Sequence, residues 1–331
     1  MRKILIILFT FIGIAIVIIS LGELEQTWNT LQHSDFRFML LACCLLLVLL
    51  VVDGQSYKSL YALMDINESL RHLILLASST NFINVVAPSG GFGGVAIFVD
   101  DAGKRGNPRG LAAAVGALHI FMEYLAFIVV LAFGWVVFIR RNDLQAGEIT
   151  ASIIMIATMI GMTILIYIGS RSGEQLGRVL GWMAHKANAV LWPFIHREYF
   201  HEIAAHEFGI EVSEGLAMLH LKKHRSTLVP FLYSLCVKLI QLMIMGTSFL
   251  AFGVSFSLGT IVAGFASAYL FLVVSPTPYG IGVVETLLPL AFGSLGISWE
   301  NAVIITLMYR GFTFWLPLLL GGISFRILQT E

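Results

Sequence analysis

The sequence predicts an all-α protein that crosses a membrane many times, and three observations carry that expectation. Of its 331 residues, 58% are hydrophobic and only 12% charged, where soluble domains carry about 25% charged residues. Uncharged runs recur along the chain, several of them long enough to cross a hydrocarbon core of ~30 Å as helices. Two of these runs are broken by short Gly/Pro clusters, one in each half. The formal net charge is zero, so there is no global electrostatic case for nucleic acid as a partner.

The first run, residues 4–22, follows Arg2-Lys3 and has a basic start like that of a signal peptide. Its length suffices for a span, and Gly22-Glu23-Leu24-Glu25 offers no small-residue cleavage site, so we expect a retained first helix. Further candidate spans at about 36–52, 111–139, 149–170, 227–253 and 301–325 bring the full spans to six. Cys43, Cys44 and Cys236 fall in apolar runs and read as small packing residues rather than a disulfide framework.

Residues 171–226 interrupt this pattern with a charged, His-rich stretch. Leu176, Val179, Leu180 and Met183 recur at helical spacing, and Trp182 and Trp192 lie nearby, which predicts an amphipathic helix in the membrane interface. His201-Glu202 and His206 superficially resemble a zinc-protease helix. The second histidine is at i+5, however, whereas two ligands on one helical face need i+4. No phosphate-binding loop, dinucleotide fingerprint or nucleophile elbow occurs. The expectation is therefore no metal, no cofactor and no catalytic residue.

The two breaks are Pro88-Ser89-Gly90-Gly91-Phe92-Gly93-Gly94, inside the run 73–99, and Pro276-Thr277-Pro278-Tyr279-Gly280-Ile281-Gly282, inside the apolar region 258–297. Paired interruptions of this kind point to a transport site built from broken helices. If each broken run is a hairpin that enters and leaves on one side, fifteen of the 20 Lys and Arg residues share a face with both termini. Arg37, Arg140 and Arg141 lie opposite. A single crossing by 73–99 would reverse that balance, so the positive-inside rule favours hairpins with cytoplasmic termini. The two hairpins then enter from opposite sides, as an inverted repeat requires.

Four charges remain inside the expected spans: Glu123, Lys238, Glu285 and Arg310. Each costs at least ~2.5–3.5 kcal/mol near the bilayer centre unless it meets a partner or water. At a rise of about 1.5 Å per residue, Glu123, Lys238 and Arg310 all fall near the midplane, and Glu285 directly follows the second break. They sum to zero, which suggests the pairs Glu123–Lys238 and Glu285–Arg310. Two readings fit these charges. They fix helix register, or they form the polar floor of a substrate cavity in which Arg310 or Lys238 meets an anionic headgroup. His119 lies one helical turn from Glu123, either as a proton relay or as a structural hydrogen-bonding group.

These features together resemble the flippase-like transmembrane region of lysylphosphatidylglycerol synthases and its standalone relatives. Asn81-Phe82 through Gly94 is similar to that family's P-G-G-x-G-G element, Pro278-Tyr279-Gly280-Ile281-Gly282-Val283-Val284-Glu285 to its P-G-G-x-G-x-x-E element, and Tyr309-Arg310 to its Tyr-Arg pair. Glu123 falls near the family's acidic-then-basic position, with Tyr124 where an arginine is usual. Val95-Ala96-Ile97-Phe98 replaces the charged residues usual after the first glycine cluster. The resemblance implies movement of a lipid with a charged or glycosylated headgroup between leaflets. The aminoacyl-transferase domain of the large members is not expected in this sequence.

The expectation is thus one transmembrane domain over 1–331, with six full spans and two opposed re-entrant hairpins, multi-pass in the cell membrane. Its substrate-binding residues would be Pro88, Gly90, Gly91, Gly93, Gly94, Glu123, Lys238, Pro276, Pro278, Gly280, Gly282, Glu285, Tyr309 and Arg310. Membrane lipids are the expected partners, with a homo-oligomer or a lipid-modifying enzyme as further ones. Two other functional classes fit the same sequence. One is a non-transporting scaffold for a lipid-modifying enzyme; the other is a membrane-embedded enzyme using Glu123, Glu285 or His119.

Overall fold

The computed structural model describes residues 34–86, 92–141, 146–195, 201–219, 224–275 and 277–330. Among these, every regular element is helical. In chain order they are α1 (Phe36–Leu63), α2 (Leu70–Val86), α3 (Phe92–Lys104), α4 (Arg109–Arg141), α5 (Ala146–Arg171), α6 (Gly173–Ile195) and α7 (Glu202–Leu219). They continue with α8 (His224–Ala251), α9 (Leu258–Val274), a 3-10 turn (Pro278–Gly280), α10 (Val283–Ser294), α11 (Trp299–Arg310), a π turn (Gly311–Trp315) and α12 (Leu316–Thr330).

Among the described residues, five helical segments are long and apolar enough to cross a membrane: α1, α4, α5, α8 and the continuous path from α11 through the π turn to α12. They occupy the second to sixth expected spans; the first, 4–22, lies outside the described residues. Their outer faces leave Leu40, Leu47, Ile153, Ile160 and Leu319 exposed. Apolar exposure on this scale suits a hydrocarbon solvent and would be a liability in water. The chain is an all-α polytopic membrane protein.

Helix α1 runs well past the expected end of its span. Asp35 caps it by accepting from the Arg37 N–H at 2.9 Å, and its 28 residues extend for about 42 Å. The polar run Asp53-Gly54-Gln55-Ser56 reads as a span boundary but continues the helix, because these residues meet protein rather than lipid. Gly54 lets α2 approach so closely that a β-carbon there would collide with Ile74. Ser56, Tyr57, Leu60 and Tyr61 are buried beyond it.

Both broken runs fold as hairpins. In the first, His72 near the start of α2 meets Asp101 near the end of α3 at 2.8 Å. At the other end, the Gly94 N–H donates to Asn84 Oδ1 at 2.7 Å. A β-carbon on Gly94 would lie 2.9 Å from Thr80, so glycine permits the close crossing there. In the second hairpin, Gly264 early in α9 packs against the Phe292 ring late in α10.

The hairpins enter from opposite faces of the bundle. The Asp35 N–H donates to the Ala251 carbonyl at 2.8 Å, so the start of α1 lies beside the end of α8. The first hairpin is connected to the end of α1 and the start of α4, whereas the second is connected to the end of α8 and the start of α11. Since α1 and α8 pack side by side in opposite directions, those connections lie on opposite faces.

Helices α6 and α7 replace the single amphipathic helix expected over this region. They cross tightly where Gly177 and Gly209 meet, and α7 packs on α4 through Gly110 and Gly215. Leu176 and Leu216 are buried in this contact, whereas Trp182 and Trp192 are exposed. The inner part of the amphipathic face therefore packs against protein rather than against a lipid surface. One buried apolar cluster joins α1 and α4 to the second hairpin, and another joins them to the first hairpin and α6–α7.

Candidate functional site

Between the two hairpins lies a cavity of about 790 Å³. Glu123, Lys238, Pro278, Tyr309, Arg310 and Gly94, all expected site residues, line it. Gly93 is buried within α3. Pro88, Gly90, Gly91 and Pro276 lie outside the described residues.

The two ion pairs suggested by depth and charge both form. Lys238 on α8 donates to Glu123 Oε2 on α4 and to the Tyr269 hydroxyl on α9 at 3.2 Å. Its ammonium also sits 4.3 Å from the centre of the Tyr269 ring, a cation–π contact that helps to replace lost hydration. Arg310 donates through Nε to Glu285 Oε1 at 2.6 Å. Both cations are buried, so each depends on its partner to offset the cost of leaving water.

The second break is held together by this chemistry. Tyr279 has φ of 52° and Gly280 and Gly282 have φ of 71° and 79°, left-handed values that glycine adopts at little cost. Arg310 donates through a second nitrogen to the Tyr279 carbonyl at 3.1 Å. Glu285 uses its other oxygen to accept from the Gly282 N–H at 2.8 Å, capping α10. Thr277 Oγ1 donates to the Ile281 carbonyl at 2.7 Å. Side chains thus satisfy backbone groups that a broken helix leaves open, as non-helical backbone at membrane depth requires. Glu285, Gly280 and Gly282 form the frame behind the cavity wall.

The two hairpins meet directly: the Tyr279 hydroxyl donates to Asn81 Oδ1 on α2 at 2.7 Å. The π turn begins immediately after Arg310, and the Arg310 guanidinium lies 4.3 Å from the centre of the Phe314 ring within it. Such bulges in a long helix re-aim side chains and are frequent at functional sites.

Sequence reasoning missed Asp53, which lines the cavity with its Oδ1 3.4 Å from His119 Nε2. The ring of Tyr57 stacks on His119 with centroids 3.8 Å apart, and Ser56 Oγ lies 3.4 Å from His119 Nδ1. Only the helical continuation of α1 past Val52 brings these groups in. Donor atoms of Asp53, His119 and Glu123 lie within 4.8 Å of one another. Lys238 already supplies a cation to Glu123, and a metal ion placed beside that ammonium would be repelled. Lys238 thus already holds the cation's place beside Glu123 in this set. His185 and His206 contact Glu202 and Glu174 within the α6–α7 layer.

The polar part of the cavity sits between the hairpins, and Asn81, Asn84 and Gln241 add uncharged polar groups to it. A second part, lined by Leu165, Leu176, Leu180, Phe208 and Leu216, runs under α6 and α7. The cavity is therefore amphipathic along its length.

Full-length relatives share this chain's extent. A UPF0104 membrane protein of Pyrococcus horikoshii is 25% identical over 98% of this chain and 96% of its own. UPF0104 membrane proteins of Methanothermobacter thermautotrophicus and Methanocaldococcus jannaschii are 22% and 20% identical, over 92% and 100% of this chain and 89% and 96% of theirs. No solved structure matches. The family described as the lysylphosphatidylglycerol synthase TM region matches residues 4–321, and the chain belongs to that family.

Proposed function

We propose that the protein moves lipids between the leaflets of the cell membrane, passing a charged or glycosylated headgroup through the central cavity. The observation that carries this reading is the amphipathic cavity between two oppositely entering hairpins. Its polar wall holds two ion pairs and its apolar wall suits hydrocarbon. Helix breaks facing a midplane cavity are the arrangement that alternating-access transporters use. Lys238 and Arg310 supply donors suited to phosphate, and Asn81, Asn84 and Gln241 suit hydroxyl groups. The reading assigns binding and passage to these residues and no bond-making chemistry. It places both termini on the cytoplasmic side and makes membrane lipids the partners.

Native mass spectrometry of the purified protein tests this proposal. One lipid class should co-purify with the wild type and be lost from the charge-neutral variant Glu123→Gln/Lys238→Gln. A lipid complement that mirrors the bulk membrane in both proteins would contradict it.

A further inference from the structure

Among the described residues, the ionised groups lining or framing the cavity do not balance. Glu285 and Arg310 cancel, but of these groups only Lys238 opposes Asp53 and Glu123, which leaves one excess negative charge among them. Glu123 Oε1 is buried and has no hydrogen-bond partner among the described residues. Other titratable groups facing this cluster are Tyr57 on α1, Tyr124 on α4, Tyr269 on α9, Tyr279 in the turn and Tyr309 on α11. All are phenols and supply no cation. The residues of α2 and α3 that line the cavity, Thr80, Asn81, Asn84, Gly94 and Val95, carry no ionisable group.

We propose that Asp53 and His119 form a binding site for one proton, whose occupation neutralises the cavity. A buried charge without a partner is expensive, and a single proton removes it. Sodium fits the site less well, because hard cations take oxygen ligands and an imidazole nitrogen is central here. A divalent ion would overshoot the charge beside Lys238.

The proton balance follows from the two nitrogens of His119. In the proton-free form, Nε2–H faces Asp53 Oδ1 across 3.4 Å and the Ser56 hydroxyl donates to Nδ1. One proton from water forms an N–H bond at Nδ1, directed at Ser56 Oγ. The proton on Nε2 then moves across the 3.4 Å contact to Asp53 Oδ1, leaving a neutral imidazole and a protonated carboxyl. With Asp53 neutral, Lys238 answers to Glu123 alone. With Asp53 ionised, two carboxylates compete for the same ammonium. Proton occupancy thus sets the charge that a headgroup meets. That coupling rests on the lipid-transport reading, whereas the proton site does not.

Infrared difference spectra between mildly acidic and neutral pH, recorded in phosphatidylcholine nanodiscs, test the site. One titrating carboxyl band is expected, absent in Asp53→Asn, displaced in His119→Gln and unchanged in Asp100→Asn, a surface control. Should Asp53→Asn fail to fold, the displaced band in His119→Gln carries the assignment. Absence of the band from the wild type, or its persistence in folded Asp53→Asn, overturns the proposal, as does an undisplaced band in His119→Gln. Coupling is read separately in proteoliposomes. A one-unit pH gradient should bias the steady-state leaflet ratio of a transported lipid by up to about tenfold. A band without that bias overturns the coupling. No transfer of any lipid overturns the transport reading, and the band still decides the proton site.

Discussion

The Tyr279 hydroxyl donates to Asn81 Oδ1 at 2.7 Å and so ties together two hairpins that enter the bundle from opposite faces. Tyr279 lies in the break of the second hairpin, and Asn81 lies on the helix leading into the first. This bond is a direct side-chain link across the cavity between the two broken elements.

Tyr279→Phe removes that donor and keeps the ring. Thermal unfolding in detergent should show a loss of about 1 kcal/mol, the usual net worth of such a bond. Headgroup passage should change in rate because the hairpins lose a tether. A variant indistinguishable from wild type in both measurements would show that the contact carries no load.

Breaking one buried ion pair from one side is expected to be worse than removing both partners. Lys238→Met strands Glu123 beside Asp53 and should cost about 3–5 kcal/mol. Glu123→Gln/Lys238→Gln should recover much of that loss. A double variant as unstable as Lys238→Met would mean that packing, rather than charge compensation, dominates at this position.

Glycines in the second break, before it and after it should differ sharply in tolerance. Gly280→Ala places a β-carbon at positive φ and 2.6 Å from Val284 Cγ2, so strain and collision add. Gly253→Ala meets only the left-handed strain of about 1–2 kcal/mol, since no atom lies within 4 Å. Gly293→Ala has open space and ordinary helical backbone and should be neutral. Unfolding temperatures ranked in any other order would contradict this account of the break.

At the base of the first hairpin, burial alone would raise the Asp101 carboxyl above its ordinary 3.8. The hydrogen bond from His72, with the Arg105 guanidinium, more than offsets that and holds it below. Arg105 donates to His72 Nδ1 at 2.8 Å, so His72 Nε2–H donates onward to Asp101. Because the folded value is depressed, this stabilisation is present above the unfolded value and is lost as pH falls through the folded one. Asp101→Asn should destabilise the protein at neutral pH and flatten the acid side of its stability profile. An unchanged acid side would place the sensitivity elsewhere.

Much of this arrangement was legible in the sequence because membrane burial makes charge expensive. Glu123 and Lys238 stood at similar depth with opposite sign, and Glu285 adjoined a break, so their pairing followed from energetics. The hairpins were legible from Pro and Gly, together with the asymmetry of Lys and Arg. Asp53 was not, because Asp-Gly-Gln-Ser after an apolar run looks the same whether a helix stops or turns polar groups toward a cavity. Its role depends on His119 from another helix, a long-range fact. Helix α7 and its packing on α4 were hidden for the same reason. The small residues Gly110 and Gly215 decide that contact, and helical periodicity cannot show which surface covers an amphipathic face.

The central claim is tested most directly by leaflet transfer in proteoliposomes, using a broad panel of headgroup-labelled lipids and a membrane-impermeant quencher. The account predicts that wild-type protein accelerates transfer of at least one lipid class over protein-free vesicles, and that Glu123→Gln/Lys238→Gln and Glu285→Gln, both reconstituted as folded protein, slow it. Transfer no faster than in protein-free vesicles for every lipid, or equal rates in wild type and both variants, would contradict it.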